Sequence, residues 1–236
     1  MQYSNMRLRH ELKYYIPYPE YKGLRNRLAQ VLERDKHSVN EEGYHIRSLY
    51  FDDVYDSALF HKNSGVSKRY KYRIRIYNLS DSLIVLERKS KFNEYICKES
   101  ALLSREAYES VIRGELGVLA ASSDPVITDF YIECRLHDLK PIVVVDYVRE
   151  AYVHELGEVR VTFDKELAAN VKDMDIFDPR LITVEAVREP IMIMEVKYND
   201  YLPGYVGDML QLSAYNRSAI SKYVLCREQS MKHYNL

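Results

Sequence analysis

The sequence predicts an α+β fold in which about eight antiparallel strands close into a barrel, with helices over its apolar outer surface. Segments that alternate polar and apolar residues recur along the 236 residues, with turn residues between them. The 22 tyrosines and the absence of tryptophan favour strands, because aromatic side chains suit a half-buried, pleated surface. About eight antiparallel strands suffice to close a small barrel, and this length suits a single domain over residues 1–236.

The first half of the chain is predicted to supply five strands and two helices. Residues 7–16 alternate as a strand does, and Pro19 begins a helix over 19–34 with an apolar stripe at helical spacing. A short helix is expected at 55–62. The same alternation predicts further strands, joined in part by hairpin turns near Asn78 and Asn93, at 44–52, 69–78, 83–91 and 94–102.

The second half begins with two helices and returns to strands. Ser104 and Asp124 suit the N-cap positions of helices over 104–113 and 125–137. Strands follow, with breaks near Gly157 and Pro190, at 141–153, 157–165, 184–188 and 190–199. Helices at 205–214 and 216–225 close the fold, and the last ten residues are expected to be frayed.

Composition and motifs exclude several classes of protein. With 34 basic and 35 acidic residues the net charge is −1, which argues against a general nucleic-acid binder. The three cysteines lie far apart and form neither a metal motif nor a disulfide framework. Residues 1–10 have no apolar core, and no apolar run is long enough to span a membrane, which predicts a cytoplasmic protein. The P-loop motif is absent.

Charged residues recur at every second position on several predicted strands, opposite apolar neighbours. The doublets are Glu11 with Lys13, Arg73 with Arg75, Glu87 with Lys89, and Glu195 with Lys197. A solvated outer sheet face explains one such strand. Four doublets of Arg, Lys and Glu, with amphipathic helices to cover the apolar side, favour a barrel whose charged face surrounds a wet tunnel. Buried like charges need partners, so the interior should bind a phosphate chain or a triphosphate tail, with a divalent metal on its glutamates.

Seven segments in order resemble the polyphosphate polymerase domain of the vacuolar transporter chaperone family, within the triphosphate tunnel metalloenzymes. They are IRSLYFDD (46–53), YKYRIRIYN (70–78), IVLERKSK (84–91), YVREAY (147–152), VRVTFDKEL (159–167), IMEVKYN (193–199) and SKY (221–223). The resemblance runs from about residue 7 to 224. It implies an eight-stranded tunnel that transfers phosphate from ATP to polyphosphate with Mn²⁺ or Mg²⁺.

The resemblance also implies the site residues. Phosphate binding is carried over to Lys13, Arg73, Arg75, Lys89, Lys98, Arg149, Arg160, Lys197 and Lys222. The metal ligand would be Glu195, with Glu87 and Glu11 as further acidic groups, and catalysis is expected from Arg73, Arg75, Lys89, Arg149 and Glu195. The expected partners are ATP and polyphosphate, with a membrane partner also allowed and no nucleic-acid polymer. Two alternatives stay open: a tunnel triphosphatase, which Glu11 on the first strand favours, and a non-catalytic polyphosphate-binding module.

Overall fold

A computed structural model describes residues 9–93, 95–188 and 190–234 of the chain. Its centre is one antiparallel sheet of ten strands, which is two more than predicted. Residues 7 and 8 of the predicted first strand, and most of the N-terminal segment used to argue for a cytoplasmic protein, lie outside the described residues.

Eight longer strands form a continuous path in the order β1-β10-β8-β7-β3-β4-β5-β6. They are β1 (His10–Pro17), β3 (Tyr44–Asp52), β4 (Lys68–Tyr77), β5 (Ser80–Phe92), β6 (Tyr95–Leu103), β7 (Lys140–His154), β8 (Val159–Asn170) and β10 (Ile191–Tyr198). Two strands of two residues each are added at its side: β2 (Glu33–Arg34) pairs with β7, and β9 (Val184–Glu185) pairs with β8. Strand β2 is too short for alternation to reveal it, whereas β9 lies within the strand predicted at 184–188.

The sheet is not a closed barrel, which corrects the predicted architecture. The end strands β1 and β6 meet at an isolated bridge between Arg9 and Ile96 and not along a ladder. Side chains also cross this gap, since the Lys89 Nζ atom on β5 lies 3.2 Å from a carboxylate oxygen of Glu11 on β1. The curved sheet therefore brings its two ends together through side chains more than through backbone hydrogen bonds.

Six α-helices accompany the sheet in the described part of the chain. They are α1 (Tyr18–Leu28), α2 (Ser57–Asn63), α3 (Arg105–Ile112), α4 (Pro125–His137), α5 (Gly204–Met209) and α6 (Lys222–Tyr234). The predicted N-caps are confirmed, because the Ser104 and Asp124 side chains accept hydrogen bonds from the first turns of α3 and α4. Helix α1 ends before residue 34, since Glu33 and Arg34 pair with β7 instead.

The end of the chain differs most from the prediction. Residues 216–221 are not helical, and α6 runs through the segment that was expected to be frayed. Cys226 and Ser230 on this helix are fully buried, and the Cys226 Sγ atom contacts the Ala168 carbonyl oxygen on β8. Packing against the sheet therefore stabilises α6, which local sequence does not report.

Apolar residues of the sheet pack beneath the helices, as predicted. Ile74, Leu86 and Phe130 belong to one buried cluster, between β3 to β6 and the helices α3 and α4. Leu24 and Val161 belong to another, between β1, β8, β10 and the helices α1 and α5. None of the helices in the described ranges has the length and apolar character needed to cross a bilayer.

Candidate functional site

Glu195 lies at the centre of a buried ion cluster on the opposite face of the sheet. Strand β10 runs between β1 and β8, so Glu195 is directly opposite Lys13 in the β1–β10 register. Its carboxylate lies 2.5 Å from Lys222 Nζ, 2.8 Å from Lys197 Nζ and 3.3 Å from Lys13 Nζ. An Arg149 guanidinium nitrogen is 3.6 Å away. Four predicted phosphate ligands thus meet at the predicted metal ligand.

Asp164 is a second buried carboxylate of this cluster, and it was not among the predicted site residues. Arg149 donates two hydrogen bonds to it, with distances of 2.6 and 2.7 Å. Lys222 Nζ on α6 lies 2.5 Å from Asp164 Oδ2, so this ammonium lies between Asp164 and Glu195. Strand alternation puts Asp164 on the same charged face as Arg160, so the sequence pattern could have identified Asp164 as a site residue.

Glu11 connects the first strand to the same group of cations. Its carboxylate lies 3.2 Å from Lys89 Nζ, 3.3 Å from Lys197 Nζ and 3.4 Å from Lys13 Nζ. Lys13 and Lys197 therefore contact both Glu11 and Glu195.

Glu87 on β5 binds a different set of cations. It lies 2.6 Å from Arg73, 2.8 Å from Lys98 and 3.8 Å from Arg75. Two tyrosines extend this group: Arg73 donates to the Tyr50 hydroxyl at 2.7 Å, and Arg75 donates to the Tyr147 hydroxyl at 3.2 Å. By contrast, Tyr14 packs in the apolar cluster beneath α1 and α5.

Arg160 lies at the edge of the charged face. It is opposite Lys197 in the β8–β10 register, but its guanidinium donates to the buried Asp35 carboxylate and, at 2.9 Å, to the Tyr44 hydroxyl. Asp35 precedes β3 in a loop that sequence analysis did not connect with the site. Arg160 is therefore the predicted ligand most fully engaged outside the cluster.

The charges in these groups stabilise one another. Burial alone opposes ionisation of Glu195, yet Lys13, Lys197 and Lys222 hold its pKa well below the ordinary value. Burial likewise opposes the charge on Arg149, but Asp164 raises its pKa well above the ordinary value. Lys89 behaves differently, because burial exceeds the attraction of Glu11 and lowers its pKa to about 7. An added anion would therefore stabilise the charged form of Lys89.

Among the residues that the structure describes, cations outnumber carboxylates on this face. Eight cationic side chains (Lys13, Arg73, Arg75, Lys89, Lys98, Arg149, Lys197 and Lys222) contact four carboxylates (Glu11, Glu87, Asp164 and Glu195). The wet hollow predicted here is filled by ion pairs around Glu195, whose side chain is 4% exposed. A surplus of buried positive charge is costly, so this face favours an anion.

The structure does not bring the three predicted metal carboxylates, Glu195, Glu87 and Glu11, into one group. Among the residues that the structure describes, no three His, Cys, Asp or Glu side chains are arranged to hold a metal ion. Glu87 binds Arg73 and Lys98, away from the cations around Glu195. Glu195 and Asp164 do suit a divalent cation, because both already share one cation, Lys222. Mg²⁺ commonly binds to one or two carboxylates together with substrate phosphates.

The chain is similar in fold to several solved structures, of which two are described here. A putative adenylyl cyclase from Hippeastrum, described as having a dominant triphosphatase activity, has 13% sequence identity and a TM-score of 0.55. The match covers 94% of this chain and 96% of that chain. A putative adenylate cyclase from Bacillus halodurans has 13% identity and a TM-score of 0.51, with 88% of each chain covered. No curated protein sequence matches the chain. At this identity the likeness shows a shared fold.

The family follows from the sequence itself. A model of the family described as the VTC domain matches residues 8–231. Because this match covers most of the sequence, the chain belongs to the VTC domain family. The resemblance drawn from the seven motifs is thereby confirmed.

Proposed function

We propose that this protein transfers the γ-phosphate of ATP to the end of a growing polyphosphate chain. The observation that carries the proposal is the surplus of cations on one sheet face, centred on Glu195. A triphosphate tail supplies several negative charges in a narrow chain, which matches a face of buried arginines and lysines. The use of ATP makes the cytoplasm the proposed location.

The chemistry requires positioning and charge neutralisation more than a protein nucleophile. A terminal phosphate oxygen of the chain attacks the γ-phosphorus, the bond from that phosphorus to the β–γ bridging oxygen breaks, and ADP leaves with the electron pair. Arg73, Arg75 and Arg149 would donate to non-bridging oxygens as negative charge shifts toward ADP. Their present carboxylate partners, Glu87 and Asp164, hold these guanidinium groups in place before substrate binds.

The lysines would hold the phosphates on either side of the reacting bond. Lys13, Lys197 and Lys222 surround Glu195, whereas Lys89 and Lys98 lie on the neighbouring strands β5 and β6. Arg160 would bind at the edge of this set. A divalent metal held by Glu195 and Asp164 would neutralise phosphate oxygens at this place. Lys222 would then exchange these carboxylates for phosphate oxygens.

A tunnel triphosphatase is the second candidate, and Glu11 is the observation that favours it. Glu11 on the first strand adds a second carboxylate close to Glu195, because both contact Lys13. An acidic first strand is similar to the motif of the wider superfamily of tunnel enzymes. The Hippeastrum neighbour is described as a triphosphatase, which shows that this fold can support hydrolysis. A non-catalytic binding module would use the same cations without turnover.

One incubation separates these functions. The protein is incubated with ATP and Mn²⁺, and the products are examined by gel electrophoresis and a phosphate assay. Long phosphate chains identify a polymerase. Free phosphate without chains identifies a triphosphatase, and retained polyphosphate binding without either product identifies a binding module.

Glu195→Gln tests the proposed centre directly. Turnover is expected to fall about 100-fold or more, because the variant loses the charge that orders the lysines and holds the metal. Glu106→Gln is the matched control, since Glu106 is an exposed residue in the first turn of α3. Circular dichroism confirms that both variants are folded. Turnover of Glu195→Gln at the wild-type rate would refute the role of this carboxylate.

A further inference from the structure

The charged face continues along β4 and β5 beyond the residues that the family resemblance identifies. In the β4–β5 ladder Arg73 is opposite Glu87, an attractive pair. The next positions outward are Lys71 opposite Lys89 and then Arg69 opposite Lys91. Directly opposed like charges destabilise a sheet. The ladder therefore changes from paired to repulsive along one direction.

Four cations make up this outer part, here called the rim group: Lys62 on α2, Arg69 and Lys71 on β4, and Lys91 on β5. Across the described ranges, none of them forms an ion pair with a carboxylate. Lys71 Nζ lies instead 4.1 Å above the centre of the Tyr223 ring, and the Arg69 guanidinium donates to the Val66 carbonyl.

Asp52 and Glu228, which attract the rim cations Lys71 and Lys62, are already engaged. Asp52 accepts hydrogen bonds from the backbone of Ala58 and Leu59 at the start of α2, and from the Tyr223 hydroxyl at 2.5 Å. Glu228 accepts from the Asn63 side chain at 3.3 Å. These carboxylates hold α2 and α6 in place, so they do not neutralise the rim group through direct contact.

The rim cations lie close enough to repel one another. Burial lowers the pKa of Lys62, and the charges of Arg69 and Lys91 lower it further. Burial also lowers the pKa of Lys91, with Arg69 again contributing. Such a group is costly without an anion, and it is continuous with the cations around Glu87 and Glu11.

We propose that the rim group binds the phosphates of a polyphosphate chain that extends past the site around Glu195. This inference rests on the proposed function and adds which residues hold the part of the chain that lies beyond the reacting phosphates. From Arg75 to Arg69 the strand covers about 20 Å, at about 3.3 Å per residue. That span exceeds three phosphate groups. A triphosphatase needs only the inner part, so the rim distinguishes a long-chain substrate from a short one.

Binding without ATP tests the proposal on the full chain. Dissociation constants are measured by titration calorimetry for inorganic tripolyphosphate and for polyphosphate of about 60 units. For the double variant Lys62→Gln and Lys91→Gln, the long-chain dissociation constant is expected to rise at least tenfold, and the tripolyphosphate value less than twofold. The salt dependence of long-chain binding should also become shallower, because fewer counterions are released.

The matched control is Lys22→Gln with Lys232→Gln, which removes the same charge from exposed positions on α1 and α6. The proposal is overturned if the rim variant binds long chains normally, if it loses both ligands equally, or if the control loses as much. Equal affinity of the wild-type protein for single-stranded DNA of similar charge would also overturn it. If the protein makes no polymer but shows the length-dependent loss, the polymerase proposal fails and the rim site stands.

Discussion

Arg149 and Glu150 are neighbours on β7, yet they belong to two buried ion clusters on opposite faces of the sheet. Glu150 lies under α1, where it accepts from the Tyr21 and Tyr152 hydroxyls and lies 2.9 Å from Arg25. Arg34 and Lys165 also approach it, at 3.7 and 3.5 Å. Arg149 belongs to the cluster around Glu195. The central carboxylates of the two clusters, Glu150 and Glu195, are almost completely buried.

The two clusters differ in charge balance. Around Glu150, the three cations Arg25, Arg34 and Lys165 are matched by three carboxylates, because Arg25 also pairs with Glu41 and Lys165 with Glu42. Around Glu195 the cations are in excess. Burial of an ionised group therefore does not by itself mark a functional site. A surplus of one sign does, since a ligand is needed to balance it.

The largest effect is expected from removing either central charge. Glu150→Gln should lower the free energy of unfolding by about 3–5 kcal/mol, because it leaves buried cations without their partner. Urea unfolding measures the loss, and adding tripolyphosphate should not restore it. Glu195→Gln should lose stability on the same scale but regain part of it with tripolyphosphate. If both variants respond to the anion alike, the distinction between the clusters is wrong.

A smaller loss of stability is expected when a neutral hydrogen-bond partner of Glu150, the Tyr21 hydroxyl, is removed. Burial and the hydrogen bond to Glu150 raise the pKa of the Tyr21 phenol, so it stays protonated and donates. Tyr21→Phe should reduce the free energy of unfolding by about 1–3 kcal/mol, since a buried acceptor loses a donor. Thermal or urea unfolding gives the value, and tripolyphosphate affinity is the control. A change in that affinity would show that the two clusters are coupled.

The smallest effect concerns the rim, where Lys71→Met should stabilise the phosphate-free protein at neutral pH. Burial lowers the pKa of Lys71 well below the ordinary value. The charged groups Lys62, Arg69 and Lys89 lower this pKa further, whereas Asp52 raises it. The ammonium of Lys71 lies above the Tyr223 ring. Between that lowered pKa and about 10.4, the unfolded chain binds more protons than the folded protein does. The free energy of unfolding of the wild-type protein therefore rises with pH in this range.

Lys71→Met removes this penalty and should gain about 0.2–1 kcal/mol near pH 7, with a flatter rise toward pH 9. Lys89 retains part of the slope, because its pKa is also lowered. Urea unfolding at pH 7, 8 and 9 checks both statements. An unchanged slope in Lys71→Met would mean that Lys71 is not a strained cation in the free protein.

Alternation along single strands was enough to assign the two faces of the sheet. In β4 the pattern separates Arg73 and Arg75 from Tyr72 and Ile74, and the structure places the first pair beside Glu87 on the charged face and the second beneath α4. This works because successive side chains on a strand point to opposite faces whatever the tertiary structure. The roles of these residues in phosphate binding stay predictions.

Strand register and helix docking decided which charged side chains meet in the site. Which cation meets which carboxylate depends on β10 lying between β1 and β8, and on α6 bringing Lys222 to Asp164 and Glu195. The short strand β2, the helical chain end and the open side of the sheet have the same origin. These features arise from contacts between segments far apart in the chain, and local patterns carry little information about such contacts because burial and pairing override local preference.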